Sequence, residues 1–237
     1  MTNLIRDPEA AYVRPEVRIA NVTNGASYRP GYLAPGMIAS IFGSQLANEP
    51  IETRIFFNNQ TVRAVVLAAT PQQINFIVPY SIADRTGVQM EVRYQNRQTF
   101  LGQVNIAPAS PGIFTLDLSG RGGGAILNQD SSVNTPRNPA ARGSIVQIFG
   151  TGEGQTDPGG QDGRINQVPA PTPKLPVRVT IGGVEAQLFY SGGAPGLLAG
   201  VLQVNARVPE GLSAGNQPVM IYVGNWPSQE GVTVAVR

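Results

Sequence analysis

The chain of 237 residues is long enough for one large or two ordinary domains, and its 41% hydrophobic content is sufficient for a packed core. Its 17 Lys and Arg residues and 15 Asp and Glu residues give a net charge of +2 without a basic cluster, so no nucleic-acid partner is expected. The chain has no His and no Cys. This excludes Ser-His-Asp and Cys-His catalysis, disulfides and metal sites built on His or Cys.

The strand pattern begins after a polar N-terminal extension at residues 1–16. A first copy of a strand-rich unit is predicted over residues 17–112. Its strands alternate apolar and polar residues, and two of them are joined by Asn58-Asn59, a strong hairpin signal. In chain order, the predicted strands are 36–43, 55–57, 62–67, 73–79, 88–94 and 99–106.

Two sequence blocks of this first copy recur later in the chain. The block at 36–43 recurs at 143–150 with an offset of 107, and the block at 73–79 recurs at 203–209 with an offset of 130. The difference of 23 residues predicts a loop insertion between the two later blocks. We place this insertion at about 152–176, a stretch rich in Gly, Pro and Asp.

The second copy is therefore predicted over residues 113–237. Its remaining strands are 177–181, 184–190, 217–223 and 231–236, and a Gly182-Gly183 turn joins the first two. Alternation with period two predicts antiparallel sheets with one buried face, and the sequence shows no amphipathic helix. The predicted fold is therefore all-β, with two tandem immunoglobulin-like (IPT/TIG-like) β-sandwich domains. Pro108 and Pro111 indicate a short, stiff join between them.

Several ordered motifs resemble those of a known family. In the first half they are Asn24-Gly25-Ala26-Ser27-Tyr28, residues 35–43, residues 73–79 and residues 111–114. In the second half they are residues 138–140, 142–143, 151–152, 182–184, 194–196 and 203–205. Over about residues 18–237 the chain is similar to the paralogous C-terminal domain of large secreted acidobacterial proteins, of the Solibacter type.

This resemblance implies an extracellular or cell-surface location at the C-terminal end of a longer polypeptide, and no established catalytic residue. The polar start of the chain has no apolar core of a signal peptide. A signal sequence is therefore absent from this chain, which leaves two interpretations: a cytosolic protein, or a leader and further domains that lie upstream. The resemblance favours the second. No apolar run approaches the ~18 residues that span a bilayer, so no membrane span is predicted.

Three carboxylates, Glu153, Asp157 and Asp162, occur together in the predicted insertion. Carboxylate and carbonyl oxygens are the ligands that Ca²⁺ prefers, so these residues are candidate calcium ligands, although their spacing matches no known calcium motif. Paired carboxylates could also hydrolyse glycosides across a cleft. The alternative is a solvated loop in which Asp and Gly serve turn geometry. We predict no other cofactor.

The repeated Gln-x-Asn-x-x-Val-Pro pattern is the most specific polar feature. It comprises Gln73, Asn75, Pro79, Gln203, Asn205 and Pro209. We predict a structural role, in which the amides point outward and bond to neighbouring backbone while proline ends the strand. The alternative is that the amides contact a ligand.

Trp226, the only tryptophan, stands at a predicted hairpin tip close to Tyr222. These two aromatic residues are candidate ligand contacts for a sugar ring or a partner protein, and the alternative for Trp226 is packing against the sandwich end.

Together these features predict a non-enzymatic extracellular structural, adhesion or assembly module, with protein or polysaccharide at the cell surface as its partner. One alternative is a carbohydrate-binding accessory module. Another is a subunit of a homo-oligomeric or filamentous assembly, in which residues 1–19 pair with the open sheet edge of a neighbour.

Overall fold

The computed structural model describes residues 17–47, 50–58, 61–95 and 97–237. The predicted N-terminal extension at 1–16 lies outside these ranges, and with it most of the 1–19 segment that was predicted to pair with a neighbour. Residue 59 of the Asn58-Asn59 turn also lies outside them. The described chain consists of β-strands and loops with one short 3-10 helix, which confirms the all-β prediction. Within the described part, no helix has the length and apolarity needed to cross a membrane.

The first sandwich is built from two antiparallel sheets of four strands. Its strands are β1 (Arg18–Asn24), β2 (Ile38–Ser44), β3 (Thr53–Phe57), β4 (Val62–Arg63), β5 (Val65–Ala69), β6 (Gln73–Ile77), β7 (Gly87–Tyr94) and β8 (Arg97–Asn105). One sheet has the order β1-β2-β6-β5 and the other β4-β3-β7-β8. These are the two sheets of an immunoglobulin domain, with β4 as an additional edge strand. The 3-10 helix, Tyr80–Ile82, follows β6.

The second sandwich repeats this topology with additional short strands. Its strands are β9 (Gly112–Ile113), β10 (Gly122–Gly123), β11 (Ile126–Leu127), β12 (Ile145–Thr151), β13 (Thr156–Asp157), β14 (Thr172–Pro173), β15 (Val177–Ile181), β16 (Val184–Glu185), β17 (Leu188–Gly193), β18 (Leu202–Arg207), β19 (Gly215–Val223), β20 (Trp226–Pro227) and β21 (Val232–Val236). The order β11-β12-β18-β17 corresponds to the first sheet of the first sandwich, and β21-β19-β15-β16 to the second. The immunoglobulin-like fold is therefore present twice.

Each sandwich encloses its own hydrophobic core. The cluster of the first sandwich ends at Ile106, and that of the second begins at Ala109. The first strand of the second sandwich, β9, pairs with β12 through Gly112 and Thr151. The cores therefore divide the chain a few residues before the predicted boundary at 112/113, because Gly112 already belongs to a sheet of the second sandwich.

Two predicted strands each divide into two. The predicted strand 62–67 is β4, which pairs with β3, followed by β5, which pairs with β6 in the opposite sheet. The predicted strand 184–190 likewise becomes β16 and the start of β17. In both sandwiches the chain crosses between sheets at an alanine, Ala64 or Ala186, whose N–H still bonds to the sheet it leaves. The residues on either side of each crossing continue without a Gly or a Pro, so the sequence pattern did not reveal the crossings.

The repeated sequence blocks form the two central strands of the equivalent sheets. Asn75 lies opposite Ser40 in the first sandwich, and Asn205 lies opposite Gln147 in the second. Both pairs of positions are related by the sequence offsets of 107 and 130. The two copies therefore share register as well as strand order, and this register fixes which side chains lie on the outer face.

The Gly182-Gly183 turn offers a test of the hairpin geometry. Both residues have positive φ, 62° and 77°, which suits a two-residue turn between twisted strands. A residue with a Cβ loses about 1–2 kcal/mol in this backbone conformation. We expect Gly182→Ala to lower the free energy of unfolding by more than this amount. The additional loss arises because the new Cβ would lie 2.5 Å from Leu212 Cδ2.

Urea denaturation of Gly182→Ala and Gly183→Ala measures this difference. Gly183 is the matched control because it has the same type of φ and no heavy atom within 4 Å of an added Cβ. Equal losses for the two variants would contradict the predicted crowding at Leu212.

Candidate functional site

The two sandwiches meet around Tyr80, the first residue of the 3-10 helix. A Cβ added to Gly36 of the first sandwich, or to Gly160 of the insertion, would overlap the Tyr80 ring. The ring is therefore held between two glycines, one from each half of the chain. Only glycine leaves room for such a close approach of both segments to the ring.

The insertion also bonds to the backbone and hydroxyl of Tyr80. The backbone N–H of Tyr80 donates to Asp162 Oδ1 at 3.0 Å, and Gln155 Nε2 donates to the Tyr80 carbonyl at 2.6 Å. The Tyr80 hydroxyl donates to Glu153 Oε1 at 3.3 Å. Three side chains of one loop thus contact one residue of the other domain, and the loop acts as a clamp.

Glu153 is the most unusual group in this junction. It is 1% exposed, and its Oε2 atom is buried without a hydrogen-bond partner among the described residues. Burial raises the pKa of Glu153 to about 7, although hydrogen bonds from the backbone and from Tyr80 act in the opposite direction. Burial, and then the adjacent Glu153, raise the pKa of Tyr80 above its usual value. The pair is therefore a buried, mostly uncharged contact at mildly acidic pH.

The three carboxylates predicted as calcium ligands have different surroundings. Glu153 is buried against Tyr80, Asp162 is half-buried and accepts from the Tyr80 backbone, and Asp157 is exposed. Across the part of the chain that the structure describes, no three acidic residues form a group suited to a metal ion. The alternative of a solvated loop is wrong for Glu153, because its carboxyl is buried against Tyr80. The same burial prevents a substrate from reaching this carboxyl.

Further hydrogen bonds join the two sandwiches. Asn24 Nδ2 donates to the Ser110 carbonyl at 2.7 Å, and the backbone N–H of Ile38 donates to Thr151 Oγ1 at 2.8 Å. Asn24 Oδ1 also accepts from the backbone of Ala26, which stabilises the turn that follows β1. The join is thus fixed by side chains from both sandwiches.

The Gln-x-Asn residues form a ladder of side chains on the outer face of each sandwich. Gln73 Nε2 donates to Asn75 Oδ1 at 2.8 Å, and Gln203 Nε2 donates to Asn205 Oδ1 at 2.9 Å. The prediction that these amides bond to neighbouring backbone is wrong. In each copy the Gln and the Asn lie two residues apart on one strand, so their side chains point to the same face and reach each other instead. Both strands end two residues before their prolines, Pro79 and Pro209.

The Gln73–Asn75 ladder lines a groove of about 590 Å³ between the sandwiches. Tyr28 and Phe42 form one side, with ring centroids 5.8 Å apart, and Leu118 contributes from the second sandwich. Tyr28 and Leu118 have positive φ, 55° and 57°, a conformation that costs a residue with a side chain about 1–3 kcal/mol. Two strained residues thus lie in one groove.

The predicted aromatic contacts, Trp226 and Tyr222, lie on opposite faces of their sheet. Trp226 is paired with the buried Val223, packs against the second core and contacts the Tyr32 ring of the first sandwich at 5.3 Å between centroids. The guanidinium carbon of Arg178 lies over the Tyr222 ring, 4.7 Å from its centroid. The two rings therefore cannot form one platform for a ligand.

Tyr80 was not predicted from the sequence, although a signal was present. Tyr80 follows Pro79 at the end of the repeated block, where the second copy has Glu210 after Pro209. A departure from an internal repeat, next to residues that both copies share, marks a position with a role in only one copy.

No family model and no curated protein matches this chain. Among solved structures, the chain is similar to a surface glycan-binding protein, SGBP-B of the Bacteroides ovatus mixed-linkage glucan utilization locus, in complex with a heptasaccharide. The identity is 15% and the TM-score 0.36, over 87% of this chain and 44% of that protein. The chain thus spans less than half of that protein's length.

It is also similar to domains 5–6 of the S-layer protein SbsC, with 12% identity and a TM-score of 0.34 over 94% of this chain and 98% of that one. The titin tandem domains A164–A165 give 8% identity and a TM-score of 0.25 over 94% and 96% of the two chains.

The buried Glu153 predicts a pH dependence of stability. The folded chain keeps the Glu153 proton up to about pH 7, whereas the unfolded chain releases it near pH 4.3. The free energy of unfolding contributed by this group therefore falls as pH rises through this window, by about 3 kcal/mol in total. Glu153→Gln has no proton to lose, so its stability relative to the wild type should increase with pH.

Urea denaturation between about pH 4.5 and pH 8, across the titration window, measures this trend. Glu210→Gln, at an exposed position, is the control and should follow the wild type throughout. A difference in free energy of unfolding between Glu153→Gln and the wild type that does not change with pH would contradict the predicted proton retention.

Proposed function

We propose that the chain is a non-enzymatic structural or adhesion module in which two immunoglobulin-like sandwiches act as one stiff unit. The clamp around Tyr80 is the observation that carries this proposal. Asp162 and Gln155 bond to the backbone of Tyr80, and its ring lies between Gly36 and Gly160. A spacer holds its two ends at a fixed distance only when its join resists bending.

A clamp of this kind does more than a short linker alone. Pro108 and Pro111 each fix one φ angle of the join, but the other backbone dihedral angles of the linker are not fixed by these two rings. The bonds of Asn24 to Ser110 and of Ile38 to Thr151 restrain the same join further. This added restraint supports the proposal that the module positions whatever is attached to its ends.

The location and partners of the module belong to the same proposal. The family resemblance, of the acidobacterial secreted type, supports an extracellular or cell-surface setting at the end of a larger protein. In that setting the partner would be a protein or a polysaccharide at the cell surface. The carbohydrate-binding alternative does not gain support from Trp226 and Tyr222, since they lie on opposite faces of a sheet.

Stiffness can be measured by pulsed electron paramagnetic resonance, because the chain has no Cys to interfere with spin labelling. Nitroxides attached at Gln89→Cys in the first sandwich and Glu185→Cys in the second both occupy exposed strand positions. We expect a single narrow distance distribution for the otherwise unchanged chain. A Gln155→Ala/Asp162→Ala double variant should broaden it, because the Tyr80 backbone loses both partners.

The matched control is Asp157→Ala/Gln161→Ala, which changes the same two residue types at exposed positions of the same loop. This control should keep the narrow distribution. A broad distribution in the unchanged labelled chain would overturn the proposal of a stiff module, and so would a clamp variant that is indistinguishable from the control.

A further inference from the structure

The groove between the sandwiches carries unused hydrogen-bonding groups in fixed positions. Asn75 Oδ1 accepts from both Ser40 Oγ and Gln73 Nε2, each at 2.8 Å. This fixes the orientation of the Asn75 amide. Its Nδ2 group and the Oε1 atom of Gln73 have no hydrogen-bond partner among the described residues. A donor pair and an acceptor are thereby held side by side on the groove floor.

Aromatic rings stand next to this polar floor. The rings of Tyr28 and Phe42 meet at 62°, so they form a corner and not a flat platform. Phe114, from the second sandwich, also lines the groove. All three residues are half-buried, which leaves part of each side chain accessible from the groove. An apolar wall and a polar floor thus face the same space.

The groove lining contains no charged side chain. The lining residues are Gly25, Tyr28, Ile38, Ser40, Phe42, Gln73, Asn75, Phe114 and Leu118. Its volume of about 590 Å³ lies within the ~300–1,000 Å³ range typical of ligand sites. An anionic or cationic ligand would find no counter-charge here, so the chemistry favours a neutral ligand.

We propose that this groove binds a single chain of a neutral polysaccharide. A sugar ring presents an apolar face of C–H groups, which can pack on Tyr28 or Phe42, and an edge of hydroxyls that both donate and accept. The Asn75 amide and the Gln73 carbonyl match such an edge. Because the rings meet at an angle, the site fits one chain and not the flat surface of a crystalline polysaccharide.

A peptide fits this groove less well. Extended peptides gain affinity chiefly by adding a strand to a free sheet edge. The groove floor lies on the faces of β2 and β6, which are paired with each other, while β1 pairs with the far side of β2 and β5 with the far side of β6. Its backbone groups are engaged, and the floor offers side-chain amides instead.

The inference goes beyond the proposed function, because it assigns a ligand class to a groove that both sandwiches line. The test is affinity gel electrophoresis of the full chain in gels containing soluble β-glucan, arabinoxylan or galactomannan, with polygalacturonate as the acidic comparison. We expect retardation by at least one neutral polysaccharide and none by polygalacturonate.

Two variants remove the groove chemistry with little effect on the fold. Tyr28→Asn deletes the ring but suits the positive φ at this position. Gln73→Leu deletes the amide, and Gln203→Leu is its matched control, because it breaks the equivalent ladder outside this groove. Tyr28→Asn and Gln73→Leu should each weaken binding by about tenfold or more, and Gln203→Leu should not. Thermal melting verifies that all three variants are folded.

Several outcomes would overturn the proposal. They are no retardation by any neutral polysaccharide, retardation by polygalacturonate alone, and binding that survives both groove variants. Capture of uncharged peptides on an array, lost with Tyr28→Asn in the absence of polysaccharide binding, would assign the groove to a peptide. The spin-label distances do not involve these residues, so a failure here leaves the stiff module standing, and a flexible join would be recognised separately.

Discussion

Tyr80 is the contact on which the relative position of the two sandwiches depends. Each sandwich has its own core, so neither needs the other to bury its apolar residues. The insertion changes this, because Glu153, Asp162 and Gln155 all reach one residue across the join. Gly36 and Gly160 approach the Tyr80 ring so closely that a Cβ on either residue would overlap it, so the ring is tightly packed at the join.

The same contact places an unusual electrostatic demand on the chain. Glu153 is buried, and one of its oxygens has no hydrogen-bond partner in the described part of the chain, which is costly for a charged carboxylate. Holding the proton avoids that cost at mildly acidic pH, and the Tyr80 hydroxyl supplies a partner for the other oxygen. The junction is thus stabilised by shape and hydrogen bonding, and its charge state varies within the physiological range.

The internal repeat explains how a binding groove can arise in one copy of a duplicated fold. Both sandwiches carry the Gln–Asn ladder at the same register, so the ladder itself supports the sheet. Only the first ladder lies beside the join, where Phe114 and Leu118 of the second sandwich close one side of the space in front of it. The groove is therefore a consequence of docking, and the stiff join would keep its walls in place.

The sequence by itself determined the local and repeated features of this protein. Period-two alternation specified half-buried strands, the offsets of 107 and 130 specified two equivalent copies with one insertion, and Gly182-Gly183 specified a hairpin turn. These features depend on neighbours in the chain or on the comparison of one copy with the other, so the sequence is sufficient to predict them.

Only the tertiary structure decided which residues meet across the join. Tyr80 and Glu153 are separated by 73 positions, and no periodicity links them. The separation of Trp226 from Tyr222 likewise depends on strand register, because adjacent positions point to opposite faces. Contacts of this kind arise from the docking of two preformed sheets, and a pattern within one strand carries no information about the surface that will face it.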